Sequence, residues 1–198
     1  MIAFIILSPR LDPFKINMDK LQKKFIETIK SASGESGIRD LVQKRIESGF
    51  LSKSDNEFYH FCVYFPAYDQ KKKLLFIGHH KKSGLWLANG GHVEKNESPK
   101  QALKREISEE WGIDMDVENL SPSLLTITEI ESNPAKRLCK AHCDIWFFVP
   151  QDNEKFAPDK KLLSKEFYES GWKTFAEARL LSKDINTITG ISEIEKLT

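Results

Sequence analysis

The stretch from Gly91 to Ile113, GHVEKNESPKQALKREISEEWGI, is the most informative part of this chain, and it predicts a loop followed by one helix. Ser98 is suited to cap that helix, because a serine side chain accepts a hydrogen bond from the backbone of the first turn, and Gln101 completes a capping-box spacing. Gly112 stands where a glycine in the left-handed conformation ends many helices. We therefore predict a helix between Ser98 and Gly112.

Three carboxylates share one face of this helix, because residues three and four positions apart are neighbours on a helical surface. Glu106, Glu109 and Glu110 repel one another there, and the last two lie near the negative end of the helix dipole. A bound hard cation reverses this penalty, since Mg²⁺ and Mn²⁺ prefer carboxylate oxygens. Leu103 and Ile107 are placed to bury the opposite face of the helix.

The same stretch resembles the Nudix box, in which a glycine and a glutamate precede an Arg-Glu-aliphatic-x-Glu-Glu-x-Gly-aliphatic run. Arg105 is spaced to pair with Glu109 or with Glu97 of the loop. All nine fixed positions of the box are present: Gly91, Glu97, Arg105, Glu106, Ile107, Glu109, Glu110, Gly112 and Ile113. Nine spaced positions are far more specific than a lone glycine motif. The alternative, a charged and solvated helix face, is weighed well below this interpretation.

The resemblance implies metal-dependent hydrolysis of the pyrophosphate linkage of a nucleoside diphosphate joined to another group. Our hypothesis makes Glu106 and Glu110 the principal ligands of Mg²⁺ or Mn²⁺, with Glu109 as a further ligand or the general base. The carbonyl of Gly91 is expected to complete the metal shell. Arg105 and Glu97 are expected to orient this set.

Three residues that are not fixed positions of the box are candidates for contact with a small-molecule, nucleotide-type substrate. Trp86 can stack on a base, although an aromatic residue on a strand is more often part of a core. His92 can contact phosphate or can simply finish a loop. Glu169 can act as a base from the far side of the cleft, or can belong to an ordinary strand start.

The resemblance extends over about residues 58–178. It includes the lead-in GHHKKSGLWLANGGHVE, then His142-x-Asp144, and Glu169-x-x-Trp172 followed by a helix that carries Glu177. Asn89 departs from the proline that many members carry before Gly-Gly, and Lys95-Asn96 replaces a Pro-Gly-like loop. These departures affect the loops and leave the metal-binding positions intact.

Hydrophobic periodicity predicts the remaining elements. The predicted helices span about residues 17–31, 38–49, 174–181 and 185–197. The predicted strands span about residues 58–65, 74–80, 85–87, 124–130 and 141–149, with a brief strand that begins at Trp172. This order predicts an α/β (α+β) fold, a Nudix-like α/β/α sandwich with a mixed sheet, in residues 57–198. Residues 1–56 are predicted to form a helical N-terminal extension, which can line the substrate entrance or make a homodimer contact.

Composition disfavours a nucleic-acid-binding protein, a disulfide-rich protein and a membrane protein. The chain has 198 residues, a formal net charge of +1 and 40% hydrophobic residues, which is typical of a globular protein and disfavours a large nucleic-acid surface. Three cysteines provide no disulfide framework, and the spacing of Cys139-x-x-His142-Cys143 fits no usual zinc pattern. The apolar start, Met1 to Leu7, is too short for a membrane span and lacks signal-peptide features, so we expect no membrane segment and a cytoplasmic location.

Two other functions are weighed against hydrolysis. The first is a catalytically silent nucleotide-binding sensor, which the intact box disfavours. The second is an mRNA decapping enzyme, which would require a basic RNA path that the net charge does not indicate.

Overall fold

A computed structural model describes residues 19–130 and 139–197 of the chain. The apolar start from Met1 to Leu7 and the beginning of the first predicted helix at Asn17 lie outside this range. The helices found within it are α1 Lys20–Ile29, α2 Ser36–Glu47, α3 Pro99–Trp111, α4 Lys160–Glu166, α5 Phe175–Leu181 and α6 Ile185–Glu195. Over the described residues, no helix has the length and apolar character required to cross a membrane.

The strands form two mixed sheets. They are β1 Tyr59–Tyr64, β2 Ala67–Asp69, β3 Leu74–His80, β4 Trp86–Leu87, β5 Gly90–His92, β6 Leu124–Glu129, β7 Ala141–Trp146, β8 Val149–Pro150 and β9 Phe167–Thr174. The first sheet has the order β5-β1-β7-β6, in which β1 and β7 are parallel and the other pairs are antiparallel. In the second sheet, β3 pairs antiparallel with β2, β4 and β9, and β2 pairs parallel with β8.

One parallel pair of strands continues through both sheets. Strand β1 lies beside β7 up to the pair Tyr64–Trp146, and the pairing resumes between β2 and β8 at Ala67–Val149. The intervening residue Phe65 is fully buried. The short β5 forms the edge of the first sheet, beside β1.

Helices cover both faces of the sheets, which confirms the predicted α/β class and layering. Helices α1, α2 and α3 pack against one face, where they share a core with the alternate residues Cys143, Ile145 and Phe147 of the β7 segment. Helices α5 and α6 pack against the opposite face, where Trp146 contributes to a second core. Side chains in residues 143–149 therefore alternate between the two faces. The two N-terminal helices thus add side chains to the same core as α3.

Several features differ from the sequence prediction. Gly90–His92 forms strand β5 where we predicted a loop, and the short strand β2 was not predicted. Helix α4 was not predicted, because its seven residues carry too few apolar positions to show a periodicity. Strand β9 begins at Phe167 and runs through Gly171, whereas we predicted a brief strand that starts at Trp172. Burial of Phe167 in the first core and the continuous pairing of β9 with β3 account for the longer strand.

Candidate functional site

Helix α3 has the predicted ends and the predicted buried face. The side chain of Ser98 accepts a hydrogen bond from the Gln101 backbone, and the Gln101 side chain accepts one from the Ser98 backbone. Gly112 adopts the left-handed conformation, with φ of 69°, at the C-terminus. Leu103 and Ile107 are fully buried. The helix is therefore anchored along one side, and its carboxylates are presented at a fixed position.

Gly91 lies directly against Glu106. A Cβ atom built on Gly91 would stand 1.9 Å from Oε1 of Glu106, so no other residue fits without displacing that carboxylate. Glu106 is largely buried, and this burial raises the pKa of its carboxyl group in spite of the hydrogen bond from Arg105. Backbone and carboxylate are thus packed together at the point where β5 passes α3.

Arg105 connects the carboxylates of the box. Its Nε and Nη2 donate to the two carboxylate oxygens of Glu97, over 2.8 and 2.9 Å. Its Nη1 donates to Glu106 over 2.8 Å and to Glu109 over 3.1 Å, and Nη2 also donates to the carbonyl of His92 over 2.9 Å. Both predicted ion pairs of Arg105, with Glu97 and with Glu109, are therefore present. A guanidinium fork of this kind fixes the orientation of several acids at once.

Hydrogen bonds favour the charged forms of Arg105 and Glu97. Those with Glu97 are the main cause that raises the pKa of Arg105. Burial opposes ionisation of Glu97, but hydrogen bonds from Arg105 and from the Glu94 amide hold the pKa of Glu97 below its usual range. The pair is therefore fully charged at neutral pH and supplies a stable electrostatic frame.

Glu110 is buried beside the glycine loop. Burial raises the pKa of its carboxyl group to about 8, and the Asn89 side chain and the Gly90 backbone amide donate hydrogen bonds that partly oppose this rise. Asn89, which departs from the family's proline, thus contacts the carboxylate that we predicted as a principal metal ligand. Such a carboxylate is stabilised in its charged form by a nearby cation.

These groups line one cleft at the junction of the two sheets. Gly91, Arg105, Glu106, Glu109 and Glu110 all contribute to its wall. The cleft is also lined by four lysines, Lys53, Lys82, Lys95 and Lys165. Basic side chains around a cleft attract anionic ligands such as phosphates.

The three predicted substrate residues have different positions. His92 lines the cleft, whereas Trp86 and Glu169 are not among the residues that form its wall. Trp86 packs against His79, with ring centroids 5.7 Å apart, and against the ammonium group of Lys173. Glu169 is exposed on β9. Their contacts with substrate stay predictions.

Sequence reasoning missed several residues of the cleft. Glu166, at the end of α4, occupies the far wall and forms an ion pair of 2.8 Å with Lys82, a contact that lowers the pKa of the Glu166 carboxyl group. Cys62 and His142 line the wall near His92. The position of Glu166 depends on a helix without a periodic signal. Cys62 comes from β1 and His142 from β7, which are distant in sequence. The sequence analysis noted His142-x-Asp144 as a resemblance, but the motif did not indicate that His142 lies on the cleft wall.

Comparisons with known proteins agree with this geometry. The family model described as "NUDIX domain" matches residues 59–189. The curated protein sequences yield no match to the chain. The family match covers most of the described sheets and helices, including the box helix and the cleft.

Solved structures show the same fold at low sequence identity. The dihydroneopterin triphosphate pyrophosphohydrolase of E. coli is 20% identical with a TM-score of 0.57, and the match covers 70% of this chain and 96% of that one. The NUDIX domain of Shewanella oneidensis NrtR, solved with ADP ribose, is 13% identical with a TM-score of 0.53, covering 72% and 89%. The C. elegans Ap4A hydrolase is 13% identical with a TM-score of 0.53, covering 69% and 96%. The intact box, its geometry and the family match together show that this chain belongs to the Nudix hydrolase family.

Proposed function

We propose that this chain hydrolyses the pyrophosphate linkage of a nucleoside diphosphate joined to another group, and that it requires Mg²⁺ or Mn²⁺. The observation that carries the proposal is the convergence of two buried carboxylates on the glycines of β5. Glu106 lies against Gly91, and Glu110 accepts a hydrogen bond from the Gly90 backbone. Burial of two like charges is costly unless a cation compensates them.

The residues present fit a hard divalent cation. The Gly91 backbone lies directly against the Glu106 carboxylate. Backbone carbonyls and carboxylates are both oxygen donors of the kind that Mg²⁺ and Mn²⁺ bind. Glu106, Glu109, Glu110 and the Gly91 carbonyl would hold the metal. When bound, the cation would neutralise phosphate charge and acidify a water molecule.

The remaining residues have positioning and proton-transfer roles in this proposal. Arg105 and Glu97 hold the carboxylates in place through their shared hydrogen bonds. Glu109 is exposed to the cleft, and its carboxylate can accept a proton from the attacking water. Glu166 on the far wall is a second carboxylate that can accept a proton.

The charges of the cleft support a polyanionic substrate. Lys53, Lys95 and Lys165 line the cleft on the side of the solvent, and each can contact phosphate oxygens. ADP-ribose and diadenosine tetraphosphate are suitable first probes, because structural relatives were solved with ADP ribose or are named for hydrolysis of Ap4A.

The test is a hydrolysis assay with the full chain and Mg²⁺ or Mn²⁺. The substrates are ADP-ribose, dinucleoside polyphosphates, oxidised dGTP, NADH and capped RNA, and the products are separated by chromatography. We expect metal-dependent cleavage of at least one small nucleotide at its phosphoric anhydride bond. Cleavage restricted to capped RNA would instead assign decapping. Tight binding of one nucleotide without cleavage of any would contradict the proposal and assign a sensor. The cytoplasmic location and the homodimer contact stay predictions.

A further inference from the structure

A second group of potential metal ligands lies on the sheet beside the cleft. His60 and Cys62 of β1, His92 of β5 and His142 of β7 place one donor atom each within 4.8 Å of one another. We call these four residues the His–Cys cluster. None of the residues assigned to the Mg²⁺ or Mn²⁺ site belongs to it.

Strand pairing explains why the four side chains meet. Cys62 is paired with His92, and His60 is paired with His142, so all four lie on the same face of three adjacent strands. The rings of His92 and His142 flank β1 from its two sides and meet above it. The small Cys62 side chain leaves room for them.

The three imidazole rings form a nearly regular triangle. The ring centroid of His60 is 4.7 Å from that of His92 and 4.8 Å from that of His142. The centroids of His92 and His142 are 4.9 Å apart. The Nε2 atoms of His92 and His142 are 3.3 Å apart. A tetrahedral ion with metal–nitrogen bonds of about 2.0–2.1 Å separates its nitrogen ligands by about 3.3–3.4 Å. The remaining donor atoms lie within 4.8 Å of one another, so small side-chain movements would complete the set.

A backbone carbonyl supports the orientation of one ligand. The Nδ1 of His60 lies 3.2 Å from the carbonyl oxygen of Asn56. A ligating histidine commonly donates its other ring N–H to such a carbonyl, which leaves the Nε2 lone pair directed towards the metal. His60 is fully buried and Cys62 is 3% exposed, so both are shielded within the sheet.

From this arrangement we propose that the His–Cys cluster binds one zinc ion or a similar transition-metal ion. Three nitrogens and one sulfur are the donors that zinc, cobalt and copper prefer, whereas Mg²⁺ and Mn²⁺ prefer oxygen. Four protein ligands close a tetrahedral site, so the role is structural. The ion ties the edge strand β5, which carries Gly91, to β1 and β7. The cleft, which is lined by Cys62, His92 and His142, provides the entry path. This proposal does not depend on the hydrolytic function.

The test is metal binding by the full chain after removal of metals with a chelator. Zinc titration is followed by calorimetry in excess Mg²⁺, which occupies oxygen sites. Cobalt titration is followed by absorption, because a bound thiolate gives a charge-transfer band. We expect one zinc per chain, a cobalt–thiolate band and a higher unfolding temperature with zinc. The wild-type protein alone is enough to test the proposal. Absence of zinc uptake in excess Mg²⁺, or absence of the cobalt–thiolate band, would overturn it.

Three cysteine variants identify the ligand. Cys62→Ser should remove the cobalt–thiolate band and lower zinc affinity at least ~10-fold. Cys143→Ser is the matched control, because Cys143 is also a buried thiol but lies in the core on the opposite face of the sheet. Cys139→Ser tests the thiol whose Sγ lies 3.7 Å from Nε2 of His60. Both of these variants should keep the band. Retention of the band by Cys62→Ser, or its loss in either of the other two, would contradict the assignment.

Discussion

The carboxylate cluster of α3 and the His–Cys cluster of the first sheet lie on opposite sides of the edge strand β5, and they differ in donor atoms and in origin. Gly91 of β5 packs against Glu106, whereas the next residue, His92, points to the other face and meets His142. Oxygen donors thus stand on one side of a three-residue strand and nitrogen and sulfur donors on the other. Because oxygen donors and nitrogen or sulfur donors favour different metals, the two clusters are suited to different ions.

Burial and a perturbed pKa do not by themselves identify a catalytic group in this protein. Burial raises the pKa of Glu110 to about 8 in the cleft, and burial raises that of Asp144 to about 8 on β7. Asp144 accepts hydrogen bonds from the hydroxyl groups of Thr126 and Thr128 and does not line the cleft. Position relative to the cleft distinguishes the two carboxyl groups.

The largest effect is expected from neutralising the carboxylates of the cleft. Glu109→Gln and Glu110→Gln should each lower kcat by a factor of at least ~100, because a positioned acid or base and a metal ligand are lost while side-chain size is kept. The measurement is steady-state hydrolysis of the best substrate. Zinc uptake by the His–Cys cluster should remain one per chain, which separates the two sites.

A matched control for this prediction is Glu118→Gln. Glu118 is an exposed glutamate that does not line the cleft, so its neutralisation should leave turnover within about twofold. Unchanged rates in both cleft variants would show that the roles given to Glu109 and Glu110 are wrong.

The next effect is expected from a single methyl group on β5. Gly91→Ala places a Cβ in contact with the Glu106 carboxylate and should lower kcat/KM by up to ~100-fold, because a displacement of about 1 Å is enough to misplace catalytic groups. Gly37→Ala in α2 is the control, since a Cβ there meets no atom within 4 Å. Full activity of Gly91→Ala, measured in the same assay, would argue against close packing of these groups.

The smallest effect concerns stability and pH. The pKa of Asp144 is higher in the folded chain than in the unfolded chain, so the folded state keeps a proton that the unfolded state loses. The contribution of Asp144 to the stability of the wild type should therefore fall as pH rises towards 8. Asp144→Asn removes this contribution. The free energy of unfolding of the variant relative to wild type, measured with urea, should therefore increase with pH, while turnover stays unchanged.

Asp69→Asn is the control, because the contribution of Asp69 to stability should depend on pH in the opposite direction. Asp69 is also buried, but backbone hydrogen bonds, the largest from Asn153, lower the pKa of its carboxyl group. Its contribution to stability is therefore present at neutral pH and is lost on acidification. A stability difference between Asp144→Asn and wild type that did not vary between pH 5 and pH 8 would refute this account of Asp144.

The sequence by itself determined the box helix, its two ends and its charged face. Those features depend on local rules: a capping serine, a left-handed glycine and carboxylates three and four residues apart. It also predicted the ion pairs of Arg105, because their partners lie within the same short stretch. The α/β class followed from periodicities that do not require knowledge of which strands pair.

Tertiary structure alone decided which side chains meet on the sheet beside the box helix and which lie across the cleft from it. Strand pairing brings His60, Cys62, His92 and His142 together from three segments, and the Cys139-x-x-His142-Cys143 spacing gave no indication of it because Cys143 points to the opposite face. Helix α4 places Glu166 on the far wall through long-range packing. Register and packing are collective properties of the folded chain, so no local pattern encodes them.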